Sequence, residues 1–196
     1  MSSSADGRGA CLPDGAMADP VELREERPGD ADAIRAVVDE AFAPDATVGP
    51  LVEAIRSSPR YVASLSLVAA QAGRVVGHVM LSHADVEDTD GVCREVLVLS
   101  PLSVAVARQR SGIGGLLVTG ALARADAAGE PLVTVEGHPA YYPRFGFLPA
   151  ASLGIEFRLP SWAPPEAAMA MRLSGYSRTI HGRLVYPAAF DDVVEH

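Results

Sequence analysis

The sequence predicts an α/β domain built on one mixed sheet, and two observations carry that prediction. β-rich runs and helical runs alternate in the order strand, two helices, three strands, helix, strand, short helix, two strands. Such an order needs both hairpins and one crossover, so the sheet is neither all parallel nor all antiparallel. The second observation is the stretch 102–117, LSVAVARQRSGIGGLL, in which an extended apolar run ends in a glycine-rich turn and passes straight into an Ala/Leu-rich helix. At 196 residues and 48% apolar content, the chain suits one such domain with an ample core.

Residues 1–20 are rich in Ser, Gly, Asp and Ala with no apolar period, and read as a disordered tail in which Met17 is an alternative start to Met1. A short strand follows at 21–27. Asp30 reads as the N-cap of a helix whose Ile34, Val37, Val38, Ala41 and Phe42 form one apolar face. A second helix is expected from Pro50, carrying Leu51 and Ile55 and stopping before Pro59. Residues 65–70 and 74–83 read as a hairpin turning at Ala72 and Gly73, and the polar run 85–91 as a loop. The long strand 94–106 contains Pro101, which cannot donate a ladder hydrogen bond and so implies a bulge or a splay from a neighbour. The next helix runs from Gly112 to Gly129, and Pro131 bars its continuation. Residues 132–135 read as a strand, 137–147 as a turn with a short helix, and 154–159 and 167–173 as the closing strands. The segment 176–190 reads as an extended arm.

Composition excludes several classes of function. A net charge of −9 argues against nucleic-acid binding, which requires a basic face, and is compatible with a cationic amine substrate. No run has the length and apolarity of a membrane span, and the N-terminus lacks the basic-then-apolar pattern of a signal peptide. Two cysteines, Cys11 and Cys93, make neither a disulfide framework nor a zinc site; both read as free thiols in a reducing cytoplasm, with Cys93 expected to be buried and inert. His78 and His83 stand at an odd spacing on one strand, face opposite sides and do not share a metal.

The turn carries the chemistry. Glycines at 112, 114 and 115 let backbone approach a ligand, and amides at the mouth of a helix favour an anion, typically a phosphate. A Walker loop is excluded, because the chain has no Gly-Lys pair, and a dinucleotide fingerprint fails at its third glycine, where Leu117 stands. What remains is Q-x-x-G-x-G, filled by Gln109, Gly112 and Gly114 and preceded by the alternating Leu102, Val104 and Val106.

This string resembles the acetyl-CoA signature of the GNAT superfamily of N-acetyltransferases, and the order of elements over residues 21–173 matches that fold. The resemblance implies a mostly antiparallel sheet of six to seven strands, splayed between the fourth and fifth, with helices on both faces. It implies a domain over residues 21–175 with 176–196 packed on it as the arm. It implies acetyl-CoA as co-substrate and no metal. The diphosphate would lie in the turn formed by Gln109, Arg110, Ser111, Gly112, Ile113, Gly114 and Gly115, and the pantetheine arm along the backbone of Leu102, Val104 and Val106.

A second motif, Y-Y-P-R-F-G-F at 141–147, resembles the family's Y-x-x-x-G-F, whose tyrosine is a general acid. Only Tyr142 stands four residues before Gly146, so the role carries to Tyr142 and not to Tyr141. The implied reaction is direct attack of a primary amine, on a small molecule or peptide, upon the thioester in a ternary complex. A lysine-like amine of pKa about 10.4 is neutral in about one molecule in 2,500 at pH 7, a deficit of about 4.6 kcal/mol, so a base is needed. Glu95 lies where many relatives carry a glutamate, and Glu136 is its rival. Trp162, Glu166 and Tyr176 are candidate acceptor contacts. The competing readings are a non-catalytic acyl-CoA sensor, which would not need Tyr142, and transfer of a longer acyl group or to a hydroxyl. The expected assembly is a monomer or homodimer.

Overall fold

The structure, a computed structural model, describes residues 19–191; the expected tail before them, Met17 and Cys11 lie outside the described residues. Among these, nine strands form one sheet: β1 (Glu22–Glu25), β2 (Tyr61–Gln71), β3 (Arg74–Glu87), β4 (Cys93–Val104), β5 (Leu132–Glu136), β6 (Leu148–Pro149), β7 (Ile155–Glu156), β8 (Ala168–Arg172) and β9 (Gly182–Val185). The helices are α1 (Ala31–Phe42), α2 (Val48–Arg56) and α3 (Ile113–Ala127). The sheet order is β1-β2-β3-β4-β5-β8-β6, with β9 paired to the end of β3 and β7 paired to β9. Pairing is antiparallel except for β4 with β5 and β7 with β9. The mixed, mostly antiparallel architecture is the expected one; the strand number rises from six or seven to nine because the chain after Leu148 adds short pieces.

Strand alternation separates two cores. Val68, Met80, Val96 and Val98 face α1 and α2, meeting Ile34, Val38, Leu51 and Ile55. Leu67, Val79, Leu81, Leu97 and Leu99 face α3, meeting Ile113, Leu117, Val118 and Ala121. The β2–β3 turn has both Ala72 and Gly73 at positive φ, as a two-residue hairpin requires.

Some expectations change. Asp30 does not cap α1: its carboxylate is held by the guanidinium of Arg24 and accepts from the Arg27 amide at 2.8 Å. The polar run after Ala84 is not a loop, because β3 continues to Glu87. Val86 is buried there, and residues 85–87 pair on one side with β4 and on the other with β9. The turn proper is closed by Asp88, which accepts from the amides of Asp90 and Val92. The strand expected at 154–159 shortens to β7. Cys93 is exposed rather than buried, since it opens β4 beside that turn. His78 and His83 do face opposite sides: His78 is buried beside Ser66 under α2, and His83 contacts Glu130 at 3.0 Å beyond the end of α3.

A buried polar knot fastens α2 to the sheet. Arg56 Nε donates to Glu26 Oε1 at 2.6 Å, Ser66 Oγ donates to Glu26 Oε2 at 2.5 Å, and Ser66 Oγ lies 3.1 Å from His78 Nε2. Burial alone would raise the Glu26 carboxyl, but hydrogen bonds from His78, Ser66 and Arg56 override it and hold it at about 2. Burial pushes the His78 imidazolium below its ordinary value.

Both shifts act on the acid side. Glu26 contributes fully above its ordinary value of 4.5 and loses that contribution as pH falls toward 2. The unfolded chain protonates His78 before the folded one does, so stability also falls with pH there. Glu26→Gln should lower stability in urea at neutral pH by about 3 kcal/mol, because Arg56 loses its buried partner. It should also flatten the decline between pH 4.5 and pH 2 relative to the parent.

Candidate functional site

Parallel pairing of β4 with β5 is limited to Leu97 with Val133 and Val98 with Thr134. From Leu99 onward β4 is paired only on its β3 side, and a bulge there inserts an extra residue opposite β3, between the pairs Leu81–Leu99 and Val79–Leu102. The bulge changes the parity of the strand. Leu99 and Leu102 therefore both face the α3 core, and Ser100 and Pro101 are left at the opening. Pro101 implies a bulge or a splay, and the register contains both.

Into this opening runs a cavity of about 1160 Å³. One end reaches the turn that leads into α3. Gly112 precedes the helix at φ +89°, a conformation costly for any side chain, and Arg110 also has positive φ. The amides of residues 110 to 115 donate to no protein acceptor among the described residues. The turn is braced from within: Ser111 Oγ donates to the Arg108 carbonyl at 2.5 Å, and Gln109 Nε2 to the Val104 carbonyl at 3.3 Å. Ile113 anchors the helix start in the core, while Val106 is half exposed. A Cβ on Gly114 would stand 2.5 Å from the Tyr141 hydroxyl and 3.7 Å from Val104, and Phe145 lies in contact range of Gly115. Free amides pointing from a helix mouth, with Arg110 beside them, suit a phosphate or diphosphate.

The middle of the cavity is lined by Tyr142 and Glu136. Tyr142 is nearly buried, packed edge-on against Tyr141 and Phe147 with centroids 5.0 and 5.5 Å away. Gly137 is required by this packing, since a Cβ there would overlap the Tyr142 ring. Burial, with Tyr141 adding to it, raises the Tyr142 phenol far above its ordinary value, so it keeps its proton at any physiological pH. Glu136 ends β5 as that strand's one exposed residue, and partial desolvation at the cavity wall raises its carboxyl above the ordinary value. His138 follows it at the wall, with Nδ1 accepting from the Ala140 amide.

Glu95 is elsewhere. It projects from the beginning of β4, joined to Arg60 at 3.0 Å and 3.7 Å from His83, and does not line the cavity. The far wall is formed by Phe42 and Leu51 of α1 and α2, by Arg158 and Trp162, and by Tyr186 and Phe190 after β9. Of the candidate acceptor contacts Trp162 is there, whereas Glu166 and Tyr176 are not. Arg158, Tyr186 and Phe190 carried no motif. Burial and then the charge of Glu136 raise the Tyr186 phenol. Among the described residues no cluster of His, Cys, Asp and Glu could hold a metal ion, and no helix is long and apolar enough to cross a membrane.

Known proteins share this fold. A family model described as an acetyltransferase (GNAT) domain matches residues 22–150. YjhQ of Escherichia coli strain K12, an uncharacterised N-acetyltransferase, is 33% identical over 123 residues, which are 62% of this chain and 66% of that protein's length. A GNAT family acetyltransferase from Brucella melitensis, crystallised with acetyl-CoA, superposes with a TM-score of 0.71 at 32% identity, over 88% of this chain and 99% of that one. The GNAT family N-acetyltransferase YhbS of Escherichia coli, crystallised with CoA, gives 0.78 at 28% identity, over 92% and 96%.

The Gly137 packing has a direct check. Gly137→Ala should cost about 1–3 kcal/mol through overpacking of the Tyr142 ring, seen as a lower melting temperature. Gly29→Ala, where a Cβ meets nothing within 4 Å, should be close to neutral.

Proposed function

The chain belongs to the GNAT acetyltransferase family, and from that premise we propose that it moves an acetyl group from acetyl-CoA to a primary amine by direct attack in a ternary complex. The observation that carries this reading is the run of unengaged amides at 110 to 115, in a turn whose Gln109 and Arg110 line the same cavity as Tyr142 and Glu136. The coenzyme's diphosphate is taken by those amides and by Arg110. The pantetheine arm follows the open edge of β4 through Leu102 and Val104, where its amides stand in for the strand that is not there. Main-chain N–H groups at that edge can also polarise the thioester carbonyl and stabilise its oxyanion.

Glu136 is a better fit to the base than Glu95, whose carboxylate is engaged by Arg60 away from the cavity. A carboxyl raised by partial desolvation accepts the ammonium proton at less cost than an ordinary one. The neutral nitrogen then attacks the carbonyl carbon, the C–S bond breaks, and the thiolate takes the Tyr142 proton. The tyrosinate is restored by the second proton lost from nitrogen, so the products are the amide, free thiol and one proton.

Thiol release from acetyl-CoA across a panel of amines tests the reading. Tyr142→Phe should slow turnover by about a hundredfold or more while CoA still binds. Full turnover in that variant would remove Tyr142 from the chemistry, and CoA binding without turnover on any amine would favour the sensor reading. In the parent, kcat/KM should level off above the raised Glu136 pKa; in Glu136→Gln it should keep climbing toward the pKa of the amine itself.

A further inference from the structure

Two guanidinium groups line the cavity without an acidic partner among the described residues, Arg110 and Arg158. Arg110 belongs to the phosphate turn, and the coenzyme accounts for it. Arg158 does not. It follows β7, which is tied through β9 to the end of β3 at 85–87, beside the beginning of β4. The phosphate turn follows the opposite end of β4. A second cation thus faces the cavity where the coenzyme's anionic end has no reason to be.

The same wall is otherwise apolar and aromatic. Tyr186 packs against Phe157 and Phe190 with centroids 6.5 and 5.1 Å away, and Phe42 and Leu51 complete the surface. Trp162 lies at the rim with three-quarters of its surface exposed. An indole left in water at a cavity mouth gains by being covered with apolar surface. Of the two carboxylates on the wall, Asp45 is consumed by the amide and hydroxyl of Thr47, at 2.9 and 2.6 Å. Glu136 is left for the amine.

Resting on the reading of this cavity as an acetyl-transfer site, we infer that the acceptor is an amine with an aromatic-sized apolar body and an anionic group, the anion held by Arg158 and the body covered by Trp162. A simple polyamine leaves Arg158 unpaired and adds a second cation beside it. An apolar amine without an anion fills the wall but forgoes the charge-assisted hydrogen bonds a guanidinium makes to a carboxylate.

Because Trp162 is the chain's one tryptophan, its fluorescence reports directly on this wall. The CoA-saturated protein is titrated with phenylalanine and with phenethylamine, which differ by the carboxylate, and equilibrium dialysis of labelled phenylalanine gives the constant without relying on Trp162. Phenylalanine should bind at least tenfold more tightly, and Arg158→Ala should abolish that preference with the Kd for CoA unchanged. Equal binding, a preference for phenethylamine, no binding of either, or a preference that survives Arg158→Ala overturns the inference. Thiol release measured on the same samples separates it from the proposed reaction: binding preference without turnover sinks the reaction and leaves the inference standing.

Discussion

Hydrogen bonding between β4 and β5 stops after Val98 and Thr134, and the cavity follows from its stopping there. A parallel pair that continued would have consumed the backbone of Leu99 to Val104 and left no opening in the sheet. A strand needs partners on both edges or a substitute for one. The proposed substitute is a ligand that can hydrogen-bond like backbone, and the bulge at Ser100 and Pro101 keeps the parting from disturbing the core, since Leu102 still faces α3. The free amides of the turn extend the same logic by a few residues. In the proposed complex main-chain amides supply most of the grip on the coenzyme, through conformations that glycine permits, with Arg110 beside them.

Side chains, by contrast, define the opposite half of the cavity. Glu136, Tyr186, Arg158 and Trp162 come from three separate segments, each held by the sheet through a different contact. The α2 wall is fixed by the Arg56–Glu26 pair beneath it, which makes the placement of Leu51 depend on a buried ionised carboxylate near β1. On the proposed reading, coenzyme recognition and acceptor recognition rest on different kinds of group.

Much of this was legible in the chain. Gln109, Gly112 and Gly114 declare an anion-binding turn because the reasons are local: positive φ, no Cβ, a helix beginning. Pro101 declared the irregularity in β4 for an equally local reason, its missing N–H. The choice between the two candidate carboxylates was not legible. Glu95 and Glu136 look alike in sequence, and only the sheet reveals that one is spent on Arg60 and the other stands at the parting of the strands. Asp85 to Glu87 looked like loop because their second neighbour, β9, is supplied from nearly a hundred residues away. Arg158, Tyr186 and Phe190 enter the cavity by the same long return, which no spacing in the chain encodes.

Pro101 has one more effect. An open strand edge is a template on which a stray chain can add itself, and such edges seed aggregation in sheet proteins. On β4 the proline removes a donor from the open stretch and the bulge bends it, so the row of groups is too broken to extend a second strand in register. The irregularity that admits a small, flexible ligand therefore also repels a polypeptide, letting the protein keep its sheet open without becoming a nucleus for its own precipitation.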